Sequence, residues 1–190
     1  MSTLRTLPPT AALALLLVGS PPRAEERPQL FPTRDVDITY DVTRPQEPKI
    51  RERVRWLASD GLERIDGRDK SSTIFNHNAK EIILISPANR TFRKLEGEQG
   101  RPPVPEIGAA LTRGDEAVIA GLRCIDWSWT DEVQTNTVCA TADGVVLRHV
   151  VDGQTVRLAR SVSYTRQSPE LFQVPPDYAP ALAPEGTLEP

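Results

Sequence analysis

The sequence predicts a mainly β, antiparallel fold of about nine to eleven strands with one or two short helices. Apolar and polar residues alternate with a period of two over most of the chain, which is typical of half-buried strands. Turn-forming combinations rich in Gly, Asp and Asn separate these segments. Helical periodicity is scarce, so an α/β or all-helical architecture is excluded.

The strand candidates follow one another along the chain. In DVDITYDV, residues 35–42, Val36, Ile38 and Tyr40 share one face while the acidic residues share the other. The later candidates are IRERVRWLA, LERID, SSTIFNH, KEIILIS, TFRKLE, EAVIAGLRCIDWSWT, TNTVCAT, GVVLRHVV and TVRLARSVSYT. The one clear interruption, GEQGRPPVPEIGAALTRGD, predicts a short helix from Pro105 to Leu111, since proline is tolerated in a first helical turn.

The first 24 residues have the pattern of a secretory signal peptide. A basic start precedes a short apolar run, AALALLLV, and small and turn-forming residues follow it. The alternative is a membrane anchor, but the run is far shorter than the roughly 20 residues a span requires. We therefore expect export to the periplasm or beyond, with no membrane span after cleavage.

The remainder of the chain predicts one domain with loose ends. We expect a flexible segment at residues 25–34, a single β-domain at 35–178 and a disordered Pro-rich tail at 179–190. Cleavage after Ala24 leaves 21 basic and 26 acidic residues. This weakly acidic balance does not indicate a nucleic-acid partner.

The two cysteines of the chain lie in CIDWSWTDEVQTNTVC. A hairpin turning at residues 131–132 places Cys124 opposite Cys139, within the Cα separation that a disulfide accepts. A reactive pair is the alternative, but the spacing is not C-x-x-C. An exported protein favours the structural disulfide, Cys124–Cys139.

The same hairpin sorts side chains between two faces. Cys124, Asp126 and Ser128 share one side, which predicts that the disulfide lies on the polar side. Trp127 and Trp129 point to the other, apolar side. Asp-Glu is not a favoured two-residue turn, so a longer loop is the alternative connection.

Signatures of catalysis are absent from the sequence. There is no nucleophile elbow, no zinc-protease helix motif and no glycine-rich nucleotide-binding loop. The two histidines, His77 and His149, stand in separate strands without a metal-ligand cluster around them. We therefore expect no enzyme activity, no metal and no cofactor.

Two stripes of side chains are the candidate binding residues. Trp56, Trp127 and Trp129 could line a ligand cavity, or could simply pack in the core. Arg51, Arg53 and Arg55 line one side of a strand and could contact an anionic headgroup or a partner. The alternative for these arginines is a solvated sheet face.

Several segments resemble a known family. AVIAGLRCIDW, VCATADGVVLR and SVSYTRQSPELFQVPPDY, together with NAKEIILISPANRTFRKL, resemble secreted bacterial domains of unknown function related to the LolA/LolB-like lipoprotein-localisation carriers. The resemblance covers residues 35–178. It implies a strongly curved antiparallel sheet, an incomplete β-barrel, whose concave face is covered by short helices and holds acyl chains.

The resemblance leads to two functional hypotheses. The first is a periplasmic protein that binds a hydrophobic or lipidic ligand on the concave face, with the tryptophans as lining. The alternative is an envelope sensor or scaffold that binds a protein or peptide without a small ligand.

Overall fold

The computed structural model describes residues 27–67, 69–97, 104–106, 108–131 and 133–181. The predicted signal peptide lies outside these residues. The strands are β1 Val36–Val42, β2 Ile50–Leu57, β3 Leu62–Asp66, β4 Ser72–Asn76, β5 Glu81–Ser86, β6 Thr91–Glu96, β7 Thr112–Ile119, β8 Leu122–Thr130, β9 Thr135–Ala140, β10 Val146–Val151, β11 Gln154–Ser163 and β12 Ala179–Pro180.

All twelve strands belong to one sheet. Their order is β12-β6-β5-β4-β3-β2-β1-β11-β10-β9-β8-β7. Every pairing is antiparallel except that of β12 with β6. Within the described ranges no pairing joins β7 to β12, so the sheet is not closed. The predicted mainly β fold is confirmed, and the open sheet agrees with an incomplete barrel.

One predicted strand is in fact a hairpin. The run EAVIAGLRCIDWSWT turns back at Ala120 and Gly121, where β7 ends and β8 begins. Both residues have positive φ, 50° and 80°. A two-residue turn of this kind matches the twist of its flanking strands. Apolar residues lie on both sides of the turn, so the sequence pattern predicted a single strand there.

Helix is confined to one short segment of the described chain. A 3₁₀ helix spans Pro169–Phe172, and its Phe172 packs against Leu57, Ile74 and Ile85. The helix predicted from Pro105 to Leu111 is wrong for the residues described there, which form a turn and otherwise have no regular secondary structure. Within the described ranges the chain forms no helix with the length and apolar character that a bilayer crossing requires.

Alternation along β1 and β2 gives the sheet two distinct faces. The inner face carries Ile38 and Tyr40 of β1, with Val54 and Trp56 of β2 beside them. Val54 lies directly opposite Ile38 in the register, so these side chains project to the same side. All four are buried.

The two ends of the described chain are ordered against the sheet. Ala179 and Pro180 form β12, and the Ala181 amide donates to the carbonyl of Phe92 at 2.7 Å. The predicted tail from residue 179 therefore begins with two residues of strand. At the other end, Thr33 donates its amide to the carbonyl of Asp143 at 2.9 Å, within the segment predicted to be flexible.

Candidate functional site

The inner face encloses a cavity of about 360 Å³. Its strand lining comes from both halves of the sheet, because the sheet brings β1, β2 and β3 beside β11, β10 and β9. Its apolar strand residues are Ile38, Tyr40, Val42, Val54, Trp56, Ile65, Val138, Val146 and Val156. An aliphatic and aromatic lining of this kind is suited to an apolar ligand.

The strap, residues 27–34, forms one wall of the cavity. Leu30, Phe31 and Pro32 all line it. The ring of Phe31 stacks on the indole of Trp56 with centroids 5.8 Å apart, and lies 4.8 Å from the ring of His77. Leu30 packs against the buried cluster that contains Trp127 and Trp129. The strap thus covers inner-face residues from both halves of the sheet.

Asp143, in the turn before β10, anchors the strap. Arg34 Nε donates to Asp143 Oδ2 at 2.8 Å, and the hydroxyl of Tyr164 donates to Oδ1 at 3.1 Å. Burial works to raise the pKa of Asp143, but hydrogen bonds from Thr141, Arg34 and Tyr164 hold that pKa below its ordinary value. The carboxylate therefore stays charged at neutral pH.

A buried ion pair on the inner face joins β2 to β11, where the cavity meets the adjoining groove. Glu52 accepts from Arg157 Nη2 at 2.8 Å and from Arg44 Nη2 at 2.8 Å. The guanidinium of Arg157 lies 4.8 Å from the ring centroid of Tyr40. Burial raises the pKa of Tyr40, so its hydroxyl stays protonated and donates to the carbonyl of Val146 at 2.6 Å.

Two histidines lie on the same face and each has a polar partner. His77 Nε2 lies 3.1 Å from Glu63 Oε2, and both side chains are buried. His149 Nε2 lies 3.0 Å from Asn136 Oδ1. Burial lowers the pKa of His149 to about 4, with a smaller contribution in the same direction from the charge of Arg157. His149 is therefore neutral at pH 7.

A groove continues from the cavity toward β4. It shares Arg44, Ile65 and Arg157 with the cavity and extends to Thr73 and Phe75. The register carries the same face on to β5 and β6: Leu84 lies opposite Thr73, and Leu95 lies opposite Ile82. Leu84 and Leu95 are each 38% exposed. The inner face therefore presents an elongated apolar strip that ends at the surface, with charged side chains such as Glu52, Asp69 and Arg157 beside it.

The three tryptophans are divided between two clusters. Trp56 lines the cavity, as predicted. Trp127 and Trp129 do not line it: they pack with Val138 and Ala140. Both indoles project to the inner face of β8, where Leu30 packs against their cluster. Of the three, Trp56 is the one that lines this cavity, and the ligand-binding role expected for the tryptophans stays a prediction.

Arg51, Arg53 and Arg55 lie on the outer face, away from the cavity. Arg53 Nε donates to Asp37 Oδ1 at 3.0 Å, and Arg55 Nη2 lies 2.8 Å from Asp66 Oδ2. Arg51 is 81% exposed and lies 3.8 Å from Asp41. All three form cross-strand ion pairs outside the cavity; Arg51 and Arg53 fit the solvated-face alternative, whereas the side chain of Arg55 is only 13% exposed.

Cys124 and Cys139 are bonded, as the sequence predicts, with Cα atoms 5.3 Å apart. The register differs from the expected one, because Asp126 lies opposite Cys139 and Thr130 opposite Thr135. The loop therefore has four residues, and Asp131 receives the amides of Val133 and Gln134. The bond shares its side of β8 with Asp126, as predicted, but it is buried there: the cysteines are 2% and 0% exposed, in the largest apolar cluster.

No protein-family model matches the sequence, and no curated protein matches it either. Solved structures, in contrast, share its fold. An uncharacterized conserved protein from Thermus thermophilus has a TM-score of 0.55 at 13% identity, over 78% of this chain and 90% of that one. MucB has a TM-score of 0.54 at 11% identity, over 79% of this chain.

The likeness to MucB recurs in a second crystal structure. The Pseudomonas aeruginosa MucA/MucB complex has a TM-score of 0.52 at 12% identity over 78% of this chain. The chain spans about 60% of the length of MucB. At these identities the likeness shows the fold: an open, mainly antiparallel sheet of the kind found in MucB.

Proposed function

We propose that this protein is an exported envelope protein that binds a protein or peptide partner along its inner face. The observation that carries the proposal is the elongated apolar strip, which runs from the cavity to the half-exposed Leu84 and Leu95. Contiguous exposed apolar surface on a soluble domain commonly marks an interaction site. A groove open at its end suits an extended chain better than a compact solute.

The fold likeness supports the same proposal. Two solved structures contain MucB together with MucA, one of them described as MucB in complex with MucA(peri). That partner belongs to MucB. For this chain we infer only the class of partner, a segment of another envelope protein. The signal-peptide pattern and the Cys124–Cys139 disulfide support an oxidising, exported location.

Site-specific photocross-linking in cells tests the proposal. A photoreactive phenylalanine analogue at Leu95 should give a covalent adduct with one envelope protein, identified by mass spectrometry. The same analogue at Val133, an 88% exposed residue of the β8–β9 loop, is the matched control. Adducts that are equal at both positions, or absent at both, would contradict the proposal.

A second candidate function is binding of a hydrophobic or lipidic ligand. The cavity of about 360 Å³ favours it, because burial of each methylene contributes about 0.8 kcal/mol. Native mass spectrometry of the purified protein should then show a co-purifying lipid. A protein mass without added lipid, and no stabilisation by added fatty acid or phospholipid, would contradict lipid binding. Partner binding would then remain as the candidate function.

A further inference from the structure

The strap occupies the inner face in the manner of a bound peptide. Leu30 and Phe31 are adjacent in sequence, yet they contact different clusters: Leu30 packs against the cluster that contains Trp127 and Trp129, and Phe31 stacks on Trp56. An extended backbone places neighbouring side chains on two such sites. Pro28 and Pro32 flank the pair, and Pro32 favours an extended conformation at Phe31.

Polar contacts hold the strap at both ends, and at the first of them Arg27 Nη2 donates to the carbonyl of Ala109 at 3.2 Å. Thr33 and Arg34 bind Asp143, and the guanidinium of Arg34 lies 3.5 Å from the ring centroid of Tyr164. The strap does not belong to the sheet: its residues precede β1 and have no strand pairing. Its departure would leave the sheet intact and would open one wall of the cavity.

We propose that the strap is an intramolecular stand-in for the partner, so that the inner face recognises an extended segment with an aliphatic-aromatic-proline pattern. This inference rests on the proposed partner-binding function and names the chemistry of the partner. The strap and the partner compete for the same indoles. A tethered segment acts at an effective concentration of order mM, so a free segment must bind more tightly to displace it.

The test uses the full protein and two peptides in solution. The three indole N–H resonances report on the site, because the chain contains three tryptophans. The first peptide is Pro-Gln-Leu-Phe-Pro-Thr-Arg, the sequence of residues 28–34. The control peptide is Pro-Gln-Ser-Ser-Pro-Thr-Arg. The variant is the double substitution Leu30→Ser and Phe31→Ser.

In the variant, the indole resonances should move from their wild-type positions, and the first peptide should return them in a saturable manner. The control peptide should leave them unchanged. The wild-type protein should require roughly tenfold more of the first peptide, or greater, for the same response. If the first peptide does not shift the variant's resonances, or shifts the wild type equally well, the inference is overturned.

A second variant covers the case in which the double substitution fails to fold. Arg34→Ala removes the Asp143 anchor from a side chain that is 60% exposed, and leaves the apolar contacts in place. It should bind the first peptide more tightly than the wild type does, and an unchanged affinity would overturn the inference. If peptide exchange succeeds but photocross-linking at Leu95 finds no protein, the proposed function fails while the strap site stands.

Discussion

At the residue scale, the buried charges of the inner face have a structural role. The side chain of Glu52 is 8% exposed and binds two guanidinium groups, those of Arg157 and Arg44. The two charge-assisted hydrogen bonds offset the free-energy cost of removing the carboxylate from water. Loss of Glu52 would leave the charge of Arg157 in an apolar cavity without its carboxylate.

We therefore expect Glu52→Gln to lower the free energy of unfolding by about 3 kcal/mol, measured by urea denaturation. Glu47→Gln is the matched control, because Glu47 is an exposed partner of Arg44 and its loss should change stability by less than about 0.5 kcal/mol. The double substitution Glu52→Met with Arg157→Met should recover much of the loss. Equal effects of the Glu52 and Glu47 substitutions would contradict this account.

His149 should make stability depend on pH between about 4 and 6.5. Its folded pKa, about 4, lies below the unfolded value because of burial and Arg157. Between these values the unfolded chain binds more protons, so stability falls as pH falls through this window and then levels off. In His149→Gln, the urea midpoint should change less between pH 7 and pH 4.5 than in the wild type. Parallel pH profiles for the two proteins would refute this.

Sequence reasoning identified the alternation of β2 but missed its most informative residue. Glu52 stands in phase with Val54 and Trp56, on the apolar side of the strand. An acidic residue on an apolar strand face is itself a signal of a buried partner. Its partners, Arg157 and Arg44, were not predictable, since they come from β11 and the β1–β2 turn and only the fold brings them near.

At the element scale, the β8–β9 hairpin shows which parts of a local prediction are robust. The observed register differs from the expected one by two positions. A shift of two preserves the side-chain faces, whereas a shift of one would reverse them. The indoles and cysteines therefore lie on the expected sides of β8. Burial of the disulfide was not predictable, because residues of β1, β2, β10 and β11 complete its cluster.

Removal of the disulfide should destabilise the protein without changing the sheet. Cys124 and Cys139 close a loop of 15 residues, for which chain entropy predicts about 3 kcal/mol. Replacement of both by Ala should lower the thermal midpoint by about 6–12 °C, with an unchanged far-ultraviolet circular dichroism spectrum. A midpoint within about 2 °C of the wild type would show that the bond contributes little.

Gly144 lies against the strap, at a position where a side chain would collide with it. Its φ is 94°, and a Cβ there would lie 2.1 Å from the carbonyl oxygen of Phe31. Gly153 has a similar φ, 78°, but a Cβ there would meet nothing within 4 Å. Both substitutions to Ala incur a positive-φ strain, roughly 1 kcal/mol. The clash with the strap is specific to Gly144.

We expect Gly144→Ala to displace the strap and to increase the quenching of tryptophan fluorescence by acrylamide, because Phe31 would leave Trp56. Gly153→Ala should lose a similar small amount of stability while its quenching stays at the wild-type level. Similar quenching in the two variants would mean that the strap does not shield the indoles.

At the scale of the whole molecule, each face of the open sheet combines ion pairs with buried apolar residues. The outer face pairs Arg53 with Asp37 and also carries the apolar cluster that Phe172 covers, while the inner face encloses the cavity and the apolar strip. The period-two pattern predicted the strands. The cavity volume and the position of the strap depend on how distant strands are brought together, which the pattern does not encode.

A cavity-filling substitution separates the two candidate functions. Val156 lines the cavity from β11, so Val156→Phe should occupy the space that a fatty acyl chain would need. If the cavity binds lipid, palmitate at about 100 times its Kd should stabilise the wild type by about 2.7 kcal/mol, but the variant much less. The substitution itself should cost about 1–3 kcal/mol by overpacking, so each protein is compared with its own ligand-free midpoint.

Val118→Phe is the control for that comparison, since Val118 is 69% exposed on β7 and its ring would lie in solvent. It should respond to palmitate as the wild type does. Equal stabilisation of all three proteins would place the fatty acid outside the cavity. Stabilisation of none of the three would contradict lipid binding in the cavity. An extended peptide segment would then be the ligand that we expect the inner face to bind.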